Sequence, residues 1–161
     1  MTAALDRATF FAIMGAFPTG VTVVTAIAPD GKPRGLTVSS VVDVSEDPPT
    51  LVVCVDNKSN TLPAIRHSGR FAVNYLLAER DGLAELFASK EPEKFAHLRW
   101  AAAGNGMPWL LHDTFALAEC VVVREILAGD HSIFLGRIEG ASPPVRGGRP
   151  LVYFRKAYHA V

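Results

Sequence analysis

The sequence predicts a mainly β fold, an antiparallel barrel with a few short peripheral helices, and three observations carry that prediction. Six or seven runs rich in Val, Ile, Thr and Phe follow one another at short intervals. Strong turn chemistry joins them, at Pro29-Asp30-Gly31-Lys32-Pro33 and at Ala128-Gly129-Asp130. The helical segments are short and do not alternate regularly with the strands, which argues against a doubly wound parallel sheet.

Taken in order, Phe10, Ile13, Met14 and Phe17 share one helical face, which Pro18 and Gly20 bring to an end. Thr19 to Ala28 reads as a strand, and the Pro29–Pro33 turn returns the chain along a second one from about Arg34 to Val42. Glu46-Asp47-Pro48-Pro49 breaks the chain again. Thr50 to Val55 is a third strand, expected to be buried on both faces because its residues do not alternate. Ser59 to Ser68 reads as a short helix capped by Ser59 or Asn60, with Leu62 and Ile65 inward. A strand over Arg70–Leu76 and a helix over Asp81–Ala88 follow, the helix turning Leu83, Leu86 and Phe87 inward. Ser89 to Leu98 is charged and punctuated by Pro92, and Gly104 to Pro108 is a loop. Ala116–Leu127 and His131–Gly140 form a hairpin across the Gly-Asp turn, and Leu151–Phe154 is the last strand. No linker, repeat or low-complexity tract divides residues 1–161, so a single domain is expected.

The charge balance narrows the function. Sixteen Lys and Arg match sixteen Asp and Glu. No basic footprint for nucleic acid results, and no bias toward an acidic membrane surface, whereas self-association meets little charge repulsion. No apolar run approaches the ~20 residues that span a bilayer. Met1 to Ala12 carries Asp6 and Arg7 where a signal peptide has its apolar stretch, so the expected location is the cytoplasm. Cys54 and Cys120 each sit in an apolar run and read as buried, reduced thiols, with a disulfide left open. Fingerprints of dinucleotide, P-loop, zinc-protease and serine-hydrolase sites are missing from the sequence. His67, His97, His112, His131 and His159 are scattered without ligand spacing, so no metal is expected.

Three hydroxyl-rich segments remain. In Gly35-Leu36-Thr37-Val38-Ser39-Ser40, strand alternation puts Thr37 and Ser39 on one face and Leu36, Val38 and Ser40 on the other. That polar row lines a site, faces solvent, or is satisfied by neighbouring backbone. Asp56-Asn57-Lys58-Ser59-Asn60-Thr61 lies between a strand and a helix, where backbone N–H groups and Lys58 favour an anion, or where Ser and Asn simply cap. Ser89-Lys90-Glu91-Pro92-Glu93-Lys94-Phe95 offers two lysines beside a helix end, for a phosphate or for solvent.

Together with Phe17 to Thr25, Pro48-Pro49, Phe71 to Leu76, Gly129 to Gly136 and Pro150 to Phe154, these segments resemble the flavin reductase-like proteins of the FMN-binding split-barrel group. The order and spacing of the pieces, over nearly the whole chain, carry the resemblance. It implies an antiparallel split β-barrel, a homodimer with the flavin near the subunit interface, and reduction of FMN or FAD by NADH or NADPH. The reduced flavin would go to a partner flavin-dependent monooxygenase component. By the same resemblance Gly35, Leu36, Thr37, Ser39 and Ser40 line the isoalloxazine and ribityl chain. Cys54, Val55, Asp56, Lys58, Ser59, Asn60 and Thr61 take the ribityl and phosphate part, and Ser89, Lys90 and Lys94 close over the phosphate or adenylate side. Gly129, Asp130 and His131 match the nicotinamide side, with His131 in a positioning role, and Tyr153 and Arg155 are secondary candidates there. Asp43 departs from the small residue common at its position, and beside a flavin its carboxylate would oppose reduction. Two other functions share such a barrel: an oxidase of the pyridoxamine-phosphate-oxidase type, and a non-catalytic flavin- or haem-binding sensor.

Overall fold

The computed structural model describes residues 4–161. Asp6 starts helix α1 (Arg7–Gly15) by accepting from the Thr9 amide at 2.9 Å and the Thr9 hydroxyl at 2.7 Å. The chain then forms β1 (Thr19–Gly20), β2 (Thr22–Ile27), β3 (Pro33–Val38), β4 (Val42–Glu46) and β5 (Pro49–Asp56). Next come α2 (Thr61–Ser68), β6 (Arg70–Leu76), α3 (Asp81–Ala88), β7 (Ala101–Ala102) and β8 (Pro108–Trp109). The last elements are β9 (Thr114–Ala128), β10 (His131–Ser142), β11 (Leu151–Phe154) and β12 (Ala157–Ala160).

Seven strands make one antiparallel sheet in the order β3-β2-β6-β9-β10-β5-β4. Its two edge strands, β3 and β4, are joined by Ser39, Ser40 and Val41 alone, so the sheet has to roll over on itself. At the seam the Ser40 hydroxyl accepts from the Cys54 amide at 3.1 Å and reaches the Cys54 carbonyl at 3.4 Å. β1, β11 and β12 form a second small sheet, and β7 pairs with β8.

The rolled sheet encloses Val24, Val53, Val55, Phe71, Val73 and Phe134, with Leu62 and Ile65 of α2 packed against them. A second cluster of Val21, Val23, Leu76, Phe87, Leu110 and Leu151 fills the space under α3. Between them Asn74 is fully buried. Its amide donates to the Val23 carbonyl, the Thr25 hydroxyl and the Pro108 carbonyl, and its oxygen accepts from the Leu110 amide, tying the β7–β8 hairpin to the sheet.

Several sequence expectations change. The strand expected over Arg34–Val42 stops at Val38, because the chain must cross there from one sheet edge to the other. The strand expected over Thr19–Ala28 divides at Val21, its first part leaving for the small sheet. β5 alternates instead of being buried on both faces: Leu51, Val53 and Val55 point inward, while Val52 and Cys54 are half-buried. Both cysteines are free thiols, and burial, with the Glu119 charge second, pushes Cys120 up to about 12. α1 has the expected apolar face, yet none of its residues is buried. No helix among the described residues is long and apolar enough to cross a membrane.

Candidate functional site

The backbone register of β3 defines the site. The Ala28 amide donates to the Lys32 carbonyl, which makes Ala28–Lys32 a hydrogen-bonded pair of the hairpin. Every second pair from there is hydrogen-bonded too, namely Ala26–Arg34, Val24–Leu36 and Thr22–Val38. Gly35 and Thr37 therefore aim their amides and carbonyls away from β2, out from the edge of the sheet.

That edge opens onto a cleft of about 610 Å³, a size typical of small-molecule sites. Arg34, Gly35, Leu36 and Thr37 form one wall. Asp56, Lys58, Ser59, Asn60 and Thr61 form a second, and Phe87 to Glu91 with Lys94 and Phe95 form the third. Gly35 is needed for this closure. A Cβ there would stand 2.7 Å from Cε1 and 3.0 Å from Cδ1 of Phe87. Phe87 meets Phe95 edge-on at 5.1 Å, which completes an aromatic corner.

The polar side chains of the walls are largely committed. The Thr37 hydroxyl donates to the Ala84 carbonyl of α3 at 2.6 Å. Ser59 Oγ accepts from the Thr61 amide at 3.1 Å, so Ser59 and not Asn60 supplies the side-chain cap of α2. Ser89 Oγ donates to the Leu86 carbonyl at 2.7 Å and accepts from the Glu91 amide. Lys94 Nζ donates to the Phe87 carbonyl at 2.8 Å and to the outward Gly35 carbonyl at 3.4 Å. Burial holds its ammonium below the usual lysine range. Lys94 thus pins the loop after α3 across the cleft to β3.

The structure brings Gly35, Leu36 and Thr37 together with Asp56, Lys58, Ser59, Asn60, Thr61, Ser89, Lys90 and Lys94. It separates the other sequence candidates. Ser39 is exposed beyond the end of β3, and Ser40 is spent on the Cys54 backbone. Val55 is fully buried in the core, and half-buried Cys54 does not reach the cleft. Gly129, Asp130 and His131 stand beside it. His131 pairs with Asp56 across β10 and β5, and the Asn57 amide donates to the Asp130 carbonyl at 2.9 Å. His131 Nδ1 lies 2.7 Å from the Asp130 carboxylate, and this contact holds the Asp130 carboxyl below the usual range. Tyr153 and Arg155 lie elsewhere: Tyr153 packs against Tyr158 at 5.2 Å, and Arg155 covers the Phe154 ring with its amide bonded to Gly15. Asp43 is exposed on β4 and does not line the cleft. Sequence reasoning missed Arg34 and the Phe87–Phe95 corner as site residues. The signal was Gly35 itself, since a glycine inside a Val/Thr strand marks a close approach by another group.

Fold and cleft define a mainly β protein with a cleft of small-molecule size at the β3 edge of its sheet. The profile described as a flavin reductase like domain matches residues 14–161. Over 155 residues the chain is 41% identical to a flavin reductase (NADH) of Kitasatospora aureofaciens, covering 96% of this chain and 81% of that protein. Over 128 residues it is 46% identical to a flavin reductase (NADPH) of Lentzea aerocolonigenes, covering 79% and 75%. Among solved structures, nitrilotriacetate monooxygenase component B from Mycobacterium thermoresistibile superposes with a TM-score of 0.90 at 35% identity, covering 98% of this chain and 88% of that one. The chain belongs to the flavin reductase-like family.

Proposed function

We propose that the protein is an NAD(P)H:flavin oxidoreductase that binds FMN or FAD in the β3 cleft and hands reduced flavin to a flavin-dependent monooxygenase component. The observation that carries this reading is the pair of outward amides, Gly35 and Thr37, opening onto the cleft. The N1–O2 side of a flavin's pyrimidine ring carries acceptors and gains electron density on reduction, so fixed donors there match both states and favour the reduced one. Thr37 supplies its amide for this, because its hydroxyl proton is committed to Ala84. Lys58 at the entry of α2 and Lys90 beside α3 bring positive charge to the phosphate. Lys94 holds the third wall in place through carbonyls.

A flavin held there would supply the hydride acceptor for the nicotinamide, with the accompanying proton from solvent and NAD(P)⁺ and dihydroflavin as products. Hydride transfer depends on close stacking more than on acid–base help. His131 accordingly orients the nicotinamide from the rim beside Asp56 while Asp130 fixes its ring. The open cleft suits release of the product flavin. The uncovered apolar face of α1 fits a homodimer, and the cytoplasm is the compartment this chemistry calls for.

A steady-state assay crossing FMN and FAD with NADH and NADPH tests the reading. Flavin-dependent loss of nicotinamide absorbance is expected, and His131→Ala should raise the KM for the nicotinamide more than it lowers kcat. Unchanged nicotinamide absorbance with either flavin overturns it.

A further inference from the structure

We propose that Asn57 is a positioning residue: it clamps the Gly129–Asp130 turn to the loop that enters α2, and so fixes His131 at the rim of the cleft. The role rests on His131 being the residue that orients the nicotinamide. Within the run from Asp56 to Thr61, Asn57 is the one residue that does not line the cleft. The Asp56 carboxylate accepts from the Lys58 backbone amide at 2.8 Å, and the Asp56 carbonyl accepts from the Ser59 amide at 2.9 Å. That tight turn presents Lys58 and Ser59 to the cleft and sends Asn57 to the tip of the β9–β10 hairpin.

Three hydrogen bonds join Asn57 to that tip. Its backbone amide donates to the Asp130 carbonyl at 2.9 Å, one step beyond Asp56–His131, the terminal pair of β5 and β10. Its side-chain amide donates to the Gly129 carbonyl at 3.4 Å. Its Oδ1 accepts from the Ser132 hydroxyl at 2.9 Å. Ser132 is fully buried, and a buried hydroxyl needs a partner, so Asn57 has a fixed anchor although it stands at the surface. The tip needs such a clamp. Gly129 has a φ of 61°, both Gly129 and Asp130 are exposed, and Leu127 beside them is 72% exposed. A turn with so few packed neighbours opens locally at little cost. His131 follows it directly, with its ring 2.7 Å from the Asp130 carboxylate, so play in the turn becomes play in the imidazole. The close stacking that hydride transfer requires tolerates little of it.

The test measures kcat and KM for the nicotinamide and for the flavin in the natural protein, Asn57→Ala, Ser132→Ala, His131→Ala and the double variant Asn57→Ala with His131→Ala. Thermal unfolding confirms that each is folded. Asn57→Ala should raise the KM for the nicotinamide about three- to tenfold, lower kcat by less, and leave the KM for flavin within about twofold. Ser132→Ala removes one of the bonds and should act in the same direction to a smaller degree. The double variant should be no worse toward the nicotinamide than His131→Ala alone, because the clamp acts through that imidazole. Losses that multiply in the double variant, an unchanged KM for the nicotinamide in Asn57→Ala, or a KM for flavin that rises as much overturn the clamp and leave the flavin reductase reading standing. His131→Ala with an unaltered KM for the nicotinamide, while flavin is still reduced, overturns the role given to His131 and the clamp with it. No reduction of any flavin overturns the reading as a whole.

Discussion

At the scale of single residues, the cleft depends on a side chain that is missing. α3 comes down on β3 only because Gly35 leaves room for Phe87, and Lys94 then bonds both the Gly35 and the Phe87 carbonyls. Gly35→Ala would force the Phe87 ring or the helix outward, at a cost of about 1–3 kcal/mol for overpacking. The urea midpoint should fall, and the KM for flavin should rise with a smaller change in kcat. Phe87→Leu added to Gly35→Ala should recover part of both, and unaltered values for Gly35→Ala alone would show that the contact is no constraint. The same segment shows how far the sequence could be read. Its position was legible, because a polar row in an apolar strand stands out. The donors were not: the Thr37 and Ser40 hydroxyls are satisfied by backbone at Ala84 and Cys54, and the groups that face the cleft are amides, which every residue but proline has.

At the scale of elements, legibility followed turn chemistry. The helix Asp81–Ala88 and the strand Arg70–Leu76 were readable to the residue, since the inward spacing of Leu83, Leu86 and Phe87 marked the one and a Phe/Val/Tyr-rich run the other. β12 was invisible, because the chain turns into it through Arg155 and Lys156, with φ of 48° and 62°. A two-residue hairpin with positive φ at both positions ordinarily carries Asn or Gly. Lys156→Gly should therefore stabilise the protein by about 0.5–1 kcal/mol, the relief of left-handed strain offset partly by the entropy of glycine. Thermal unfolding reads this directly, and a lowered Tm would refute it. A second link is electrostatic: Arg66 of α2 grips Glu125 of β9 at 2.6 Å. The Arg66 hydrogen bonds hold the Glu125 carboxyl below its ordinary 4.5. A carboxyl whose pKa falls on folding adds stability that is complete above its unfolded value and is lost as pH drops through the folded one. The pair stays partly exposed, so its worth is about 0.5 kcal/mol. Natural protein should lose that increment below pH 4.5, and Glu125→Gln should remove it at neutral pH while flattening the acid limb of the Tm profile. An acid limb identical in both proteins would rule the link out.

At the scale of the molecule, one face is unfinished in a single chain. Ile13, Met14 and Phe17 are 58%, 54% and 69% exposed, and α1 buries none of its residues. A nine-residue helix does not persist in water on its own propensity and needs a packing partner. Further exposed apolar side chains lie at Val42 and Val44 on β4 and at Ile126 and Leu127 near the tip of β9. An apolar helix face left unpacked in this way is suited to an interface, and a formal net charge of zero offers no repulsion to oppose one. The periodicity of this helix was legible in the sequence, but periodicity does not say whether its face meets the same chain or another copy. A homodimer predicts that Tm rises with protein concentration, because association stabilises only the folded chains. Ile13→Lys with Phe17→Lys places two like charges on each copy of that face. The doubly substituted protein should sediment as a monomer, with a lower Tm that no longer depends on concentration. Sedimentation equilibrium of the natural protein decides the matter, since a monomer at micromolar concentration would leave the face without the partner its exposure demands.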